Sequence, residues 1–222
     1  YKILWTVIIL LFSGTGPLLY ICFGNGNNLP KRKYKKISGY LQNEIDIKDT
    51  IEKIKNEDNL SYRLSLFLHR TTGLYPSKNQ GEQFYSDGAL LFNEMIKAID
   101  KAKRYIFLEY FIIGEGKLWD EIYDVLIQKV SEGVEIHVLY DDVGSISTVK
   151  DNFVFKLRDA GINAAKFNPL KIIVSVRYNN RDHRKIVSID GKVAFTGGIN
   201  ISDEYIGELE KHGRWKDSAV MV

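Results

Sequence analysis

Three side chains suited to phosphate chemistry, His183, Lys185 and Asn200, fall within one short stretch, HRKIVSIDGKVAFTGGIN, which runs from residue 183 to residue 200. An imidazole can act as nucleophile or proton carrier near neutral pH. An ammonium and an amide can hold the non-bridging oxygens of a phosphodiester and offset the charge that builds as phosphorus becomes five-coordinate. At the centre, Asp190-Gly191 is flanked on both sides by β-branched residues, the pattern of a hairpin with a two-residue loop. On that loop Ile189 pairs with Lys192, and His183 lies opposite Gly198. Alternation with period 2 then places His183 and Lys185 on one face with Thr196 and Gly198, joined by Asn200 where the strand stays extended. Gly197 and Gly198 are expected to leave room for a bulky group beside the imidazole. Taken singly, a histidine is more often a packed or surface residue and Asp-Gly only a turn. Six positions at fixed offsets, His183, Lys185, Asp190, Gly197, Gly198 and Asn200, point instead to a site.

The elements that must position this hairpin precede it. Ser86 or Asp87 caps a helix that runs to about Arg104, with Leu91, Met95, Ile99 and Ala102 at helical spacing. Tyr105 to Ile113 is an apolar and aromatic strand broken only by Glu109, a carboxylate that must be paired or face a polar site. An amphipathic helix over 118–132 is closed by Gly133, and a second buried strand over 134–140 ends at Asp141-Asp142. A third helix over 149–160 stops at Gly161, and a third strand follows over 162–167. His137 lies inside the second strand and reads as a strand-face residue. Strand alternating with helix predicts an α/β sheet covered by helices on both faces. Residues 202–210 suit a short helix, and Arg214-Trp215-Lys216-Asp217 opens a last strand.

Before this lobe, Ile3 to Phe23 carries no charged residue. As one helix it would span about 30 Å, the thickness of a bilayer's hydrocarbon core, with a kink at Ser13 to Pro17. The sequence therefore predicts a transmembrane helix over 1–24, a basic juxtamembrane linker and helical region over 25–84, and a catalytic lobe over 85–222. Lys31, Arg32, Lys33, Lys35 and Lys36 place the following residues on the cytoplasmic side of a cell membrane and suit contact with anionic headgroups. Nucleic acid is not expected as their partner, because the bilayer is the nearer polyanion. The 222 residues carry a net charge of +3 and one cysteine, Cys22. That composition fits a folded protein and excludes an internal disulfide framework.

The pattern His183-x-Lys185, Asp190, Gly197-Gly198-x-Asn200 resembles the HKD motif of the phospholipase D superfamily. Further blocks are similar to its bacterial cardiolipin synthase branch: Gly16-Pro17-Leu18-Leu19-Tyr20, Glu109-Tyr110, Glu132-Gly133-Val134, Tyr140 to Ser145, Asn180 to Lys185, and Trp215-Lys216-Asp217. The resemblance covers nearly the whole chain. It implies phosphatidyl transfer between two phosphatidylglycerol molecules, giving cardiolipin and glycerol through a phosphatidyl-histidine, with neither metal nor other cofactor. The motif's catalytic set is His183, Lys185 and Asp190; the position of Asp190 at the turn, far in register from His183, gives it a structural role. Asn200, Gly197 and Gly198 support the phosphate. An acidic partner would fix the histidine tautomer, with Asp217 the first candidate and Glu109 the second. Members of this branch carry two such motifs, whereas His212-Gly213-Arg214 is not a second one. The chain is accordingly expected to be the amino-terminal half of a two-lobed enzyme, inactive alone, whose partner lobe comes from the remainder of the same protein. A tethered lipid hydrolase or nuclease is the rival in chemistry, and a scaffold with a dead motif the rival outside it.

Overall fold

The apolar amino-terminal stretch folds as two short helices rather than one long one, α1 (Lys2–Leu11) and α2 (Gly16–Phe23). The computed structural model describes residues 2–24, 47–72, 81–170, 180–210, 213 and 215–222. Ser13-Gly14-Thr15 breaks the helical run, and the Gly16 N–H closes the turn on the Phe12 carbonyl at 2.6 Å. The chain then folds back. Trp5 and Tyr20, which would lie about 22 Å apart along a straight helix, meet edge to face with ring centroids 5.4 Å apart. Gly16 permits this approach, since a Cβ there would come within 2.7 Å of the Ile8 carbonyl oxygen. The expected transmembrane helix is thus not formed: among the described residues no helix is long and apolar enough to cross a membrane. The basic run Lys31 to Lys36 lies outside the described residues. A second helical pair follows, α3 (Ile47–Glu57) and α4 (Asn59–Thr72), which contact each other. Asp58 between them caps α4, accepting the Leu60 and Ser61 N–H groups at 3.1 and 2.9 Å.

Residues 81–222 form a separate unit. Its elements are β1 (Gln83–Tyr85), α5 (Gly88–Asp100), β2 (Tyr105–Tyr110), α6 (Lys117–Ser131), β3 (Glu135–Asp141), α7 (Phe153–Asp159), β4 (Asn163–Phe167), β5 (Lys185–Ile189), β6 (Val193–Gly197), a 3-10 turn (Asp203–Ile206) and β7 (Ala219–Met221). Seven strands run in the order β1-β7-β6-β5-β2-β3-β4, with β2, β3 and β4 parallel and the remaining pairs antiparallel. The capping expected at the start of α5 is made by Asp87, whose carboxylate accepts the Ala89 N–H at 2.9 Å. Gly133 and Gly161 stand at left-handed φ of 85° and 87° just past α6 and α7, a conformation that a side chain disfavours.

The described helices cover one face of this sheet, not both. Each crossover, β2-α6-β3 and β3-α7-β4, adds its next strand in the same direction, so right-handed connection puts both helices on the same side. That side buries Ile106, Leu108, Ile136, Val138, Tyr140, Val187 and Phe195. Met95 of α5 lies under Tyr110, and Phe153 of α7 packs on both Trp119 of α6 and Tyr140 of β3. The alternate side chains on the other face, among them Phe107, Glu109, His137, Leu139, Asn163, Ile186 and Thr196, are half-buried or exposed among the described residues.

The hairpin differs from expectation by one residue. Asp190 and Gly191 both take positive φ, 55° and 66°, and the Lys192 N–H closes on the Ile189 carbonyl at 2.9 Å. The ladder, however, resumes at Ile189 with Val193, leaving Lys192 as an extra residue, so Ile186 faces Thr196 and Lys185 falls in line with Gly197. Thr196 therefore points away from the Lys185 face. The cause lies in Asp190, which is drawn toward β2. Its carboxylate accepts the N–H groups of Lys103 (2.8 Å), Arg104 (2.8 Å) and Tyr105 (2.9 Å), while its own N–H donates to the Tyr105 carbonyl at 3.0 Å. Burial opposes ionisation of Asp190, but these three donors outweigh it and hold the carboxyl below its ordinary range. Asp190→Ala is expected to cost about 2–3 kcal/mol in chemical denaturation, and Asp190→Asn, which keeps one acceptor oxygen, less. The stabilisation is present above the ordinary carboxylate range, near pH 4, and is lost as pH falls through the depressed value. The alanine variant should therefore show a flatter acid limb, and an unchanged one would contradict this role.

Candidate functional site

The site forms at the carboxyl ends of β2 and β3, where β5 begins and β6 ends. Asp141, the last residue of β3, is fully buried at 0% exposure. Its Oδ1 accepts the Val143 and Gly144 N–H groups at 3.0 and 2.9 Å and the Arg181 guanidinium at 3.1 Å, and its Oδ2 accepts the Asp182 N–H at 2.9 Å. A buried carboxylate is tolerated only when satisfied in this way. The segment leading into the motif is thereby tied to the end of β3 before β5 starts.

Three residues beyond Asp182, Lys185 points into the core side of the sheet and is only 4% exposed. Its ammonium donates to the His183 carbonyl at 2.7 Å, approaches His183 Nδ1 at 3.3 Å and lies 5.1 Å from the centroid of the Phe111 ring. Burial lowers its pKa, while the charges of Asp217 and Asp182 act in the opposite direction. His183 is exposed above this base, its ring against Phe111 at 4.5 Å between centroids. An ammonium can only donate, so its place beside Nδ1 favours the tautomer in which Nδ1 accepts and Nε2 carries the proton. Phe111 is itself fixed from below. A Cβ on Gly144 would strike the Phe111 carbonyl oxygen, and Ser145 Oγ donates to that oxygen at 3.3 Å while accepting the Ile113 N–H at 3.1 Å.

The supporting residues take positions that strand alternation alone did not give. Asn200 is buried, but its carbonyl accepts the Ile112 N–H at 3.0 Å and its amide nitrogen donates to the Tyr205 hydroxyl at 2.7 Å. It braces the turn that carries Phe111 and keeps one amide hydrogen in reserve. Gly197 and Gly198 make room for β7 and Asp217 rather than for a ligand: a Cβ at Gly197 would strike the Ser218 carbonyl, and one at Gly198 the Asp217 carboxylate. Asp217 is half-buried beside Gly198 and close enough to act on Lys185. Glu109 lies on the opposite face, where it pairs with Arg184 at 2.6 Å, and Arg184 also bonds Asp182 at 2.9 Å. Among the described residues neither Asp217 nor Glu109 is bonded to His183. His212 lies outside the described residues. Among those described, no group of three His, Cys, Asp or Glu side chains is placed to hold a metal ion.

The sequence assigns no role to Phe111, Arg181 or Tyr205. Their roles come from contacts between segments far apart in the chain. The nearest signal was the Asp141-Asp142 pair closing an apolar strand, since a carboxylate at such a place needs partners.

With the fold and geometry in hand, comparison with known proteins is informative. The family profile described as "Cardiolipin synthase, PLD-like domain" matches residues 95–211, and the chain belongs to that family within the phospholipase D superfamily. An uncharacterized protein of Streptococcus mutans is 42% identical over 99% of this chain and 48% of its own length. A cardiolipin synthase of Oceanobacillus iheyensis is 32% identical over 98% of this chain and 47% of its own. The chain thus spans about half the length of the relatives it matches. Among solved structures, phosphatidylserine synthase of Haemophilus influenzae superposes with a TM-score of 0.52 at 16% identity, over 66% of this chain and 34% of that one, a likeness of fold.

Glu109 carries a pH dependence that can be measured. Burial and the neighbouring Asp182 push it up to about 7, while Asp182, although burial opposes its ionisation, is held down to about 2 by Arg184. A carboxyl raised in the fold contributes stability that is full below its unfolded value and is lost as pH rises through the folded one. Melting curves should show wild type losing stability between about pH 5 and pH 7, a loss that Glu109→Gln lacks. Parallel curves would mean that Glu109 is ionised throughout.

Proposed function

We propose that the full-length protein is a membrane-associated cardiolipin synthase that moves a phosphatidyl group from one phosphatidylglycerol to another. The observation that carries this reading is the exposed His183 imidazole mounted over the buried Lys185 ammonium, on strands fixed at both ends. Family membership supports phosphodiester chemistry at that pair. In the first step an imidazole nitrogen attacks phosphorus, a P–N bond forms, and the P–O bond to glycerol breaks. A second imidazole gives its proton to the departing oxygen. In the second step that imidazole takes the proton from the hydroxyl of an incoming phosphatidylglycerol, whose oxygen attacks phosphorus and breaks the P–N bond. One phosphodiester replaces another, so no nucleotide is consumed, and two smaller barriers replace one large one. Lys185 holds the phosphate's charge beside His183, and Asn200 secures the turn that carries Phe111. The second imidazole is expected from an H-x-K-x4-D lobe in the remainder of the protein, so these 222 residues would not turn over alone.

Membrane association is read from the α1–α2 hairpin, whose outer surface is apolar, with Leu10 75% and Ile21 74% exposed. The basic run at Lys31 to Lys36 then favours the anionic, cytoplasmic side of the cell membrane.

Full-length protein given phosphatidylglycerol is expected to yield cardiolipin and glycerol by mass spectrometry. Phosphatidic acid as the main product, or nucleotide release from added DNA, would replace this reading with hydrolysis. His183→Ala should lower turnover by at least about 10³-fold. Phe111→Leu, which removes the ring under the imidazole, is expected to lower kcat by about tenfold to a hundredfold with KM little changed. An unchanged kcat would show that the ring does not position His183.

A further inference from the structure

We propose that α4 is a second lipid contact, lying along an anionic phospholipid surface with one apolar face in the headgroup region. The helix has two faces of different fate. Tyr62, Leu66 and His69, at i, i+4 and i+7, are half-buried on the side where α3 brings the half-buried Ile51 and Ile54. On the opposite side Leu60, Leu64 and Phe67 repeat the same spacing but are 73%, 56% and 61% exposed. Three large apolar side chains at i, i+4 and i+7 form one continuous stripe.

What borders the stripe selects the occupant. Arg63 and Arg70, seven residues apart and both exposed, lie along one flank of it. Residues 59–72 contain no Asp or Glu at all. The nearest carboxylate, Asp58, is engaged in capping the helix through the Leu60 and Ser61 N–H groups. A stripe meant for a protein partner has no need of a helix without acidic residues. A stripe meant for anionic lipid does, because guanidinium groups on long stems reach phosphates while the apolar side chains enter the acyl boundary. The helix has 14 residues and so measures about 21 Å, too short to cross a hydrocarbon core of about 30 Å. It therefore lies in the plane of the surface. This contact would hold the catalytic chain at headgroup level independently of the α1–α2 hairpin, and it stands whether or not the protein makes cardiolipin.

The test reads the environment of single positions in the full-length protein. In a background with native cysteines replaced, beginning with Cys22→Ser, a nitroxide is attached at Leu64→Cys, at Phe67→Cys and, as control, at Tyr62→Cys. The protein is reconstituted in vesicles of equal parts phosphatidylglycerol and phosphatidylcholine, and collision with oxygen is compared with collision with a water-soluble nickel chelate. At positions 64 and 67 the oxygen-to-nickel ratio is expected to rise severalfold over protein in detergent-free lipid discs of phosphatidylcholine alone, while the control at 62 stays low to both reagents. Arg63→Glu with Arg70→Glu should abolish the rise. Persistent nickel access at 64 and 67 would leave the face in water and overturn the proposal. Low access to both reagents would overturn it too, by showing the face covered by protein, whether another part of the chain or a second copy.

Discussion

Strand β5 is held at its two ends by two carboxylates, and the candidate site depends on that suspension. At the upper end the buried Asp141 takes the Asp182 N–H and the Arg181 guanidinium. At the lower end Asp190 takes three consecutive N–H groups from the residues that open β2. In each case one carboxylate satisfies several backbone or guanidinium donors at a place where the chain leaves regular structure and its hydrogen bonds would otherwise lapse. The five ladder residues between them leave little freedom in where His183 stands. A neutral residue at either end would hold fewer donors at once, which explains why charge is tolerated at so buried a position as Asp141.

The sheet then separates its polar groups by face. Lys185 points to the side packed by α5 and α6, together with Tyr110 and Val187, whereas Arg184 points to the other side, where it joins Glu109 and Asp182. Neighbouring positions in the chain thus serve unrelated networks. The one carries the ammonium beside His183; the other pairs with both Glu109 and Asp182. Because successive side chains alternate, this division follows from the register alone. A slip of one residue would exchange the two cations and bury a guanidinium where Phe111 now meets an ammonium.

What the sequence made legible was local. The order of strands and helices through Phe167, the Asp87 cap and the glycines past α6 and α7 all follow from residues within a turn of one another. The six motif positions were legible as a set, and Asp190 stands at the turn where the hairpin pattern puts it. The bulge at Lys192 was not, because it arises from Asp190 reaching residues 103–105, more than eighty positions away. For the same reason Gly197 and Gly198 were assigned to a ligand when β7 and Asp217 occupy that space. The helix count on each face depended on the direction of strand addition, which composition does not encode. At the amino terminus, length and apolarity suggested one helix, and only the return contact between Trp5 and Tyr20 identifies a hairpin.

The contacts of His183 bear on what the candidate site can do. Its Nδ1 faces an ammonium, its carbonyl accepts from the same ammonium, and its ring rests on Phe111. These contacts hold the ring in place and favour the tautomer with its proton on Nε2 rather than a free lone pair there. A neutral ring in that tautomer is not yet a general acid, which needs a proton on both nitrogens, nor a nucleophile at Nε2. Either role requires a proton on Nδ1, which needs a carboxylate where Lys185 now stands or an anion that draws the ammonium away. On the proposed function an incoming phosphodiester would supply the second, since its oxygens would compete with the His183 ring for the Lys185 donors. On that reading, substrate binding and the tautomer of His183 would be coupled through that one ammonium.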